Sequence, residues 1–155
     1  MQHYLFLDID GVLNDHSLNA AGYCTIDFDK MKLLNSIVKL NTDIILSTAW
    51  RYMIHSGECT IKGFENWLRC FGFVGYIHGY TERDEIIKDR SEQISKYVKD
   101  FNIKSYAIID DLDLNISENH QDRFVQTDGK IGITDKEVKE IKTIFEKDKH
   151  ANKKN

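Results

Sequence analysis

Residues 5–14 read L-F-L-D-I-D-G-V-L-N, an apolar run that stops at two carboxylates, Asp8 and Asp10, and resumes after a glycine. In extended chain these two side chains share one face, about 6.6 Å apart along the axis. One acid at a strand end is ordinary turn chemistry. Two at this spacing put like charges side by side where a buried strand emerges. Gly11 lets the chain bend just beyond them. The remaining sequence has to supply whatever neutralises that charge.

Outward from this stretch, apolar segments alternate between strand and helix character. Residues 3–9 form a short buried strand. Residues 27–40 place Phe28, Met31, Leu34, Ile37 and Val38 at helical spacing, with Asp27 as the N-cap. Residues 43–47 (D-I-I-L-S) are a second strand. Ile61, Phe64, Trp67, Leu68 and Phe71 make a helical stripe that Gly72 ends, and residues 74–78 form a third strand. Ile94, Tyr97, Val98 and Phe101 follow the spacing of a surface helix capped by Asp89 or Ser91. Residues 106–109 are a strand ending in Asp110-Asp111, and residues 124–126 are the last strand. Thr134-x-x-Glu137 is a capping box opening a helix through Phe145. Strands that are apolar on both faces and alternate with helices predict a mostly parallel α/β sheet, covered by helices on both faces. Residues 1–146 read as a single domain and residues 147–155 as a polar, frayed tail. No internal repeat is visible.

The chain has 155 residues, enough for one domain with a full core. A net charge of −4 excludes wrapping duplex nucleic acid by bulk charge, while leaving room for a local basic groove. Only a handful of apolar residues precede Asp8, with no basic leader, which reads as neither a signal peptide nor a membrane span. Cys24, Cys59 and Cys70 lack paired C-x-x-C spacing. Free, buried thiols in a reducing, cytoplasmic setting fit that odd set better than a disulfide frame or a zinc site.

In a parallel sheet the ligand crevice lies at the carboxyl ends of the strands. Three strands here end in Asp8, Ser47 and Asp110. Acids converging in a crevice repel one another unless a cation neutralises them, and Mg²⁺ prefers a few carboxylates together with water and a substrate phosphate. A carboxylate beside Mg²⁺ is able to attack phosphorus, and an acid two residues on is able to protonate the leaving oxygen and then activate water.

These residues resemble the haloacid dehalogenase (HAD) superfamily of phosphatases. D-I-D-G-V-L-N is similar to its first motif, I-I-L-S-T to its second and A-I-I-D-D to its fourth, in order over about residues 3–130. L-S-T-A-W-R, R-S-E-Q-I and V-Q-T-D-x-x-x-G-I-T further resemble the small HAD domains of nucleic-acid repair proteins. The resemblance implies a HAD-like, Rossmann-type three-layer sandwich. It implies Asp8 as nucleophile and Mg²⁺ ligand, and Asp10 as general acid/base with its backbone carbonyl on the metal. Ser47, or Thr48 if the strand ends one residue later, would bind the phosphoryl group next to Gly11. Asp110 and Asp111 would complete the metal site directly or through water. The third-motif cation is Lys88 or Arg90. Lysine is the usual residue type, while R-S-E-Q-I favours Arg90. Caps in this superfamily are inserted after the first motif or between the second and third. Neither residues 14–41 nor residues 51–89 hold enough chain for a full one, so the site is expected to be open to a phosphate on a large molecule.

Several neighbours have plainer readings. Arg51 clamps a phosphate, stacks on a base, or makes a surface ion pair; Trp50 reads as packing. Asn14, Asp15 and His16 are polar loop residues near the first motif. Asp113 ends a turn. His55, His78 and His120 show no ligand spacing, and residues 147–154 read as a solvated tail. A phosphoacceptor receiver domain shares an acidic Mg²⁺ site, but there the acid pair, the acceptor Asp and the Lys come in a different order. An inactive HAD-like binding module would have to retain both Asp8 and Asp10 without using them. The expected activity is a Mg²⁺-dependent phosphomonoester hydrolase acting through an aspartyl-phosphate. Its substrates would be nucleotides, nucleic-acid 3′ or 5′ phosphate ends, or other phosphate esters; the leaving group and the oligomeric state are not encoded legibly.

Overall fold

The computed structural model describes residues 1–15, 25–82 and 89–153. Its elements are β1 (His3–Leu7), α1 (Phe28–Val38), β2 (Thr42–Leu46), a 3₁₀ turn (Ala49–Arg51), α2 (Tyr52–His55), α3 (Ile61–Arg69) and β3 (Ile77–Tyr80), followed by α4 (Arg90–Asp100), β4 (Tyr106–Asp110), α5 (Ile116–His120), β5 (Phe124–Gln126) and α6 (Asp135–Asn152). The strands form one sheet in the order β3-β2-β1-β4-β5, and every pairing is parallel. The order reverses at β1, which makes the crevice beside its carboxyl end the natural place for a ligand.

Strand alternation divides the core in two. Leu5, Leu7, Ile44, Leu46, Ala107 and Ile109 face α1 and α6, meeting Met31, Leu34 and Ile37 from one and Val138, Ile141 and Phe145 from the other. Phe6, Ile45 and Ile108 face the opposite way, onto Ile94 and Tyr97 of α4 and Ile116 of α5. Each fully buried aliphatic side chain in these layers contributes about 1.5–3 kcal/mol relative to exposure. The helix starts follow the cap residues. Asp27 accepts the backbone N–H groups of Asp29 and Lys30, and the Thr134–Glu137 capping box is present at α6. Of the two candidates at α4, Asp89 is the cap, accepting from Glu92 N.

Four expectations are corrected. β1 ends at Leu7 because Ile9 O accepts both Val12 N and Leu13 N, which turns the chain. Asp8 and Asp10 therefore do not share a strand face. β3 covers Ile77–Tyr80 rather than 74–78, because side chains tie down the preceding backbone: Asn35 Oδ1 takes Val74 N and Arg69 takes Gly75 O. The tail from 147 is not frayed at its start; α6 continues to Asn152, held by Asp148, which accepts from Arg123 and from the Ser105 hydroxyl. The thiols are free but not buried: Cys59 is half-buried and Cys70 exposed, and Cys24 lies outside the described residues. Among the described residues no helix is long and apolar enough to cross a membrane, and no inserted cap domain interrupts the sheet.

Candidate active site

The sheet register builds the site. Phe6 pairs with Ile45 on one side and Ile108 on the other. Two residues further along each chain stand Asp8, Ser47 and Asp110, level across three neighbouring strands at about 4.8 Å spacing. The hydrogen-bond pattern carries past the strand ends: Asp8 N donates to Ile109 O (3.0 Å) and Ser47 N to Leu7 O (2.9 Å). The parity of this row is that of Phe6, Ile45 and Ile108, the face covered by α4. Arg90, the first residue of α4, closes the row from that side.

One carboxylate oxygen from each of Asp8, Asp110 and Asp111 lies within 4.8 Å of the others. Asp8 is only 6% exposed and Asp110 1%. Arg90 Nη1 is 3.4 Å from Asp8 Oδ2 and hydrogen-bonds Asp110 Oδ2. Even with that cation present, burial first and the Asp110 charge second push the Asp8 carboxyl up to about 7. Burial likewise raises Asp110, against the pull of Arg90. Burial alone would lower the Arg90 pKa, but Asp110 and Asp8 outweigh it and raise it. One guanidinium does not balance this much desolvated negative charge, which is the condition that favours a second cation.

The two hydroxyls after β2 divide their work. The Thr48 hydroxyl hydrogen-bonds the Asp8 carboxylate and accepts Trp50 N. Ser47 Oγ is buried and has no hydrogen-bond partner among the described residues. A buried orphan hydroxyl costs about 1–3 kcal/mol, so Ser47 keeps a donor in reserve beside Asp8.

The Asp10 carboxylate has its own donors. Its Oδ2 accepts Trp50 Nε1 at 2.7 Å and its Oδ1 accepts Asn14 Nδ2 at 3.1 Å. Gly11 follows at φ +74°, and a Cβ there would lie 2.5 Å from Asp111 Cγ. The segment after β5 buttresses this turn. Thr127 Oγ1 donates to Gly11 O (2.7 Å), Ile133 N to Val12 O (2.9 Å) and Gln126 Nε2 to Asp111 O (2.9 Å). Sequence reasoning assigned no such roles to Asn14, Trp50, Gln126 or Thr127; the V-Q-T-D-x-x-x-G-I-T stretch was the signal for the last two.

Other candidates resolve plainly. Lys88 and His16 lie outside the described residues. Arg51 donates to Thr48 O (2.6 Å) and Gln93 Oε1 (2.8 Å), which places it beside the second motif. Asp113 accepts from the Ser117 backbone N–H and hydroxyl at the start of α5. His55 and His78 are exposed, while His120 is buried against Ser95 and Tyr106.

A parallel sheet of this order, with D-x-D after its central strand, a hydroxyl after one neighbour and D-D after the other, defines a HAD-type α/β fold. The chain belongs to the family described as the HAD domain in Swiss Army Knife RNA repair proteins, whose model matches residues 4–138. No match was found among curated proteins or solved structures. Membership supports a phosphatase-like function of the HAD type, and the buried acids form a group able to hold a divalent metal.

Proposed function

We propose that the protein is a Mg²⁺-dependent phosphomonoester hydrolase that works through an aspartyl-phosphate on Asp8, with the phosphorylated end of a nucleic acid as substrate. The observation that carries this reading is the level row of Asp8, Ser47 and Asp110, with Asp111 beside it and Arg90 across it. The acids suit a hard divalent cation: they converge, they are largely desolvated, and a Cβ on the neighbouring Gly11 would run into Asp111. Asp8, Asp110, Asp111 and the Asp10 carbonyl would hold it. Bound there, Mg²⁺ supplies charge neutralisation for the acids and the phosphoryl oxygens.

The residues divide the reaction as follows. The Asp8 carboxylate attacks phosphorus, the bond to the leaving oxygen breaks, and that oxygen takes the Asp10 proton. Asp10 then takes a proton from water, whose oxygen attacks the phosphorus and returns Asp8 and inorganic phosphate. Ser47 Oγ donates to a phosphoryl oxygen, and Gly11 keeps the approach open. Arg90 offsets charge that builds on the phosphoryl group, as a fixed fork rather than a point charge. Arg51 and Thr48 border the same edge, where an incoming strand would pass. The substrate class is supported by the family's RNA-repair description and by the absence of a cap among the described residues.

The test is a phosphatase panel with Mg²⁺ containing 3′- and 5′-phosphorylated oligonucleotides, mononucleotides and an aryl phosphate. Asp8→Asn should abolish turnover on all of them, and one class of oligonucleotide end should exceed the small esters in kcat/KM. Full activity in Asp8→Asn would overturn the mechanism. Equal use of aryl phosphate and oligonucleotide ends would overturn the substrate class alone.

A further inference from the structure

An acid/base carboxyl that gives a proton in one step and takes one in the next has to present the same oxygen to the reacting centre throughout. A lone aspartate in a turn has free rotation about two side-chain bonds. Asp10 does not, because each of its oxygens is tethered: Oδ2 to Trp50 Nε1 at 2.7 Å and Oδ1 to Asn14 Nδ2 at 3.1 Å. Both tethers are themselves fixed. The Asn14 amide orientation is determined, since its Oδ1 accepts Gly11 N (3.0 Å) while its Nδ2 also donates to Thr25 O (3.1 Å). The Trp50 indole is stacked on Trp67, with centroids 5.1 Å apart and planes at 25°, and Trp67 packs in turn against Phe64 and Phe71.

The indole N–H is a donor and nothing else. It occupies one lone pair of Oδ2 and offers no acceptor that would compete for the Asp10 proton. Asp10 and Trp50 are 40 residues apart in sequence, so the contact depends on the folded arrangement of the first two motifs. We infer that Trp50 is a positioning residue for proton transfer: its indole N–H, braced by Trp67, fixes the Asp10 carboxyl in one orientation. This rests on the reading of Asp10 as the acid/base given above.

The experiment removes the N–H and little else. Phenylalanine at position 67 keeps an aromatic ring against Trp50, so a Trp67→Phe chain serves as the parent in which Trp50 is the sole indole, and β-(3-benzothienyl)alanine at position 50 keeps the bicyclic shape with sulfur in place of N–H. Relative to that parent, kcat with Mg²⁺ and an alkyl phosphate should fall about tenfold or more, the scale of one hydrogen bond to a charged group. KM should not move, and the chain should stay folded at the assay temperature. In an Asp10→Ala background the same replacement should have no further effect. The Trp50 indole N–H resonance of the Trp67→Phe chain should also move upfield on Asp10→Ala. An unchanged kcat, an effect on KM alone, an equal loss in the Asp10→Ala background, or an unmoved resonance would each overturn the inference. Wild-type turnover in Asp10→Ala would overturn the acid/base assignment itself, and the inference with it.

Discussion

Gly11 shows how much of the site depends on one missing atom. At φ +74° it occupies backbone space that L side chains rarely adopt, and a Cβ would lie 2.5 Å from Asp111 Cγ. Asp111 cannot retreat freely, because Gln126 holds its carbonyl and its carboxylate belongs to the acid cluster. Gly11→Ala should therefore cost about 1–3 kcal/mol of stability and lower kcat by more than about tenfold. Urea denaturation and steady-state kinetics check the two together; a variant with wild-type kinetics would show that the close approach is not needed. The bend at Gly11 was legible from sequence, because glycine after a strand-end acid signals it. That the vacant space belongs to Asp111 was not, since the two are far apart along the chain. The same holds for Trp50. An indole near a strand end reads as packing, and only the fold brings its N–H to Asp10. The strand-end positions of Asp8, Ser47 and Asp110 were legible because each directly follows an apolar run, although the strand before Asp8 stops two residues earlier than the pattern indicates.

At the level of elements, α3 illustrates what an amphipathic pattern hides. The stripe of Ile61, Phe64 and Leu68 predicts the helix, but Glu65 looks like one more charge on its wet face. In the fold Glu65 is buried and joins α3 to β3, accepting from Ile77 N (3.0 Å), Lys62 (2.6 Å) and Arg69 (3.0 Å). Burial would raise its carboxyl, but the bonds from Lys62, Ile77 and Arg69 outweigh that and hold it at about 2, against an ordinary 4.5. A carboxyl depressed in the folded state stabilises fully above its unfolded value and loses that stabilisation as pH falls through its folded value. Glu65→Gln should thus be less stable than wild type at neutral pH, with a gap that is constant above 4.5 and closes as pH drops toward about 2. Urea midpoints across that range decide it; a gap that widens in acid would refute the assignment. The displaced start of β3 has the same origin, because Asn35 and Arg69 take backbone groups of residues 74–75 that the apolar pattern alone would give to the ladder. The length of α6 was misjudged for a related reason: Asp148 reads as a tail charge until Arg123 and Ser105, distant in sequence, are seen to bind it.

Taken as a whole, the molecule is a sheet whose carboxyl edge carries an electrostatic fault. Alternating strands and helices made the parallel sheet and its ligand edge legible, because burial on both faces demands continuous apolar runs. What they could not show is how dry that edge is. Asp8 and Asp110 are almost fully buried, and Arg90 is their one close cation among the described residues. Desolvated like charges oppose folding, so a cation that binds only the assembled row should stabilise the entire domain by mass action. At free Mg²⁺ about 100 times its dissociation constant the gain is about 2.7 kcal/mol. For a chain of this length each kcal/mol moves the thermal midpoint by about 2–4 °C, so saturating Mg²⁺ should raise it by about 5–10 °C over EDTA at matched ionic strength. Asp110→Asn removes one acid of the row and should lose most of that increment, whatever it does to the metal-free midpoint. A wild-type midpoint that ignores Mg²⁺, or an increment that survives in Asp110→Asn, would place the divalent site elsewhere and leave Arg90 as the charge that balances the row.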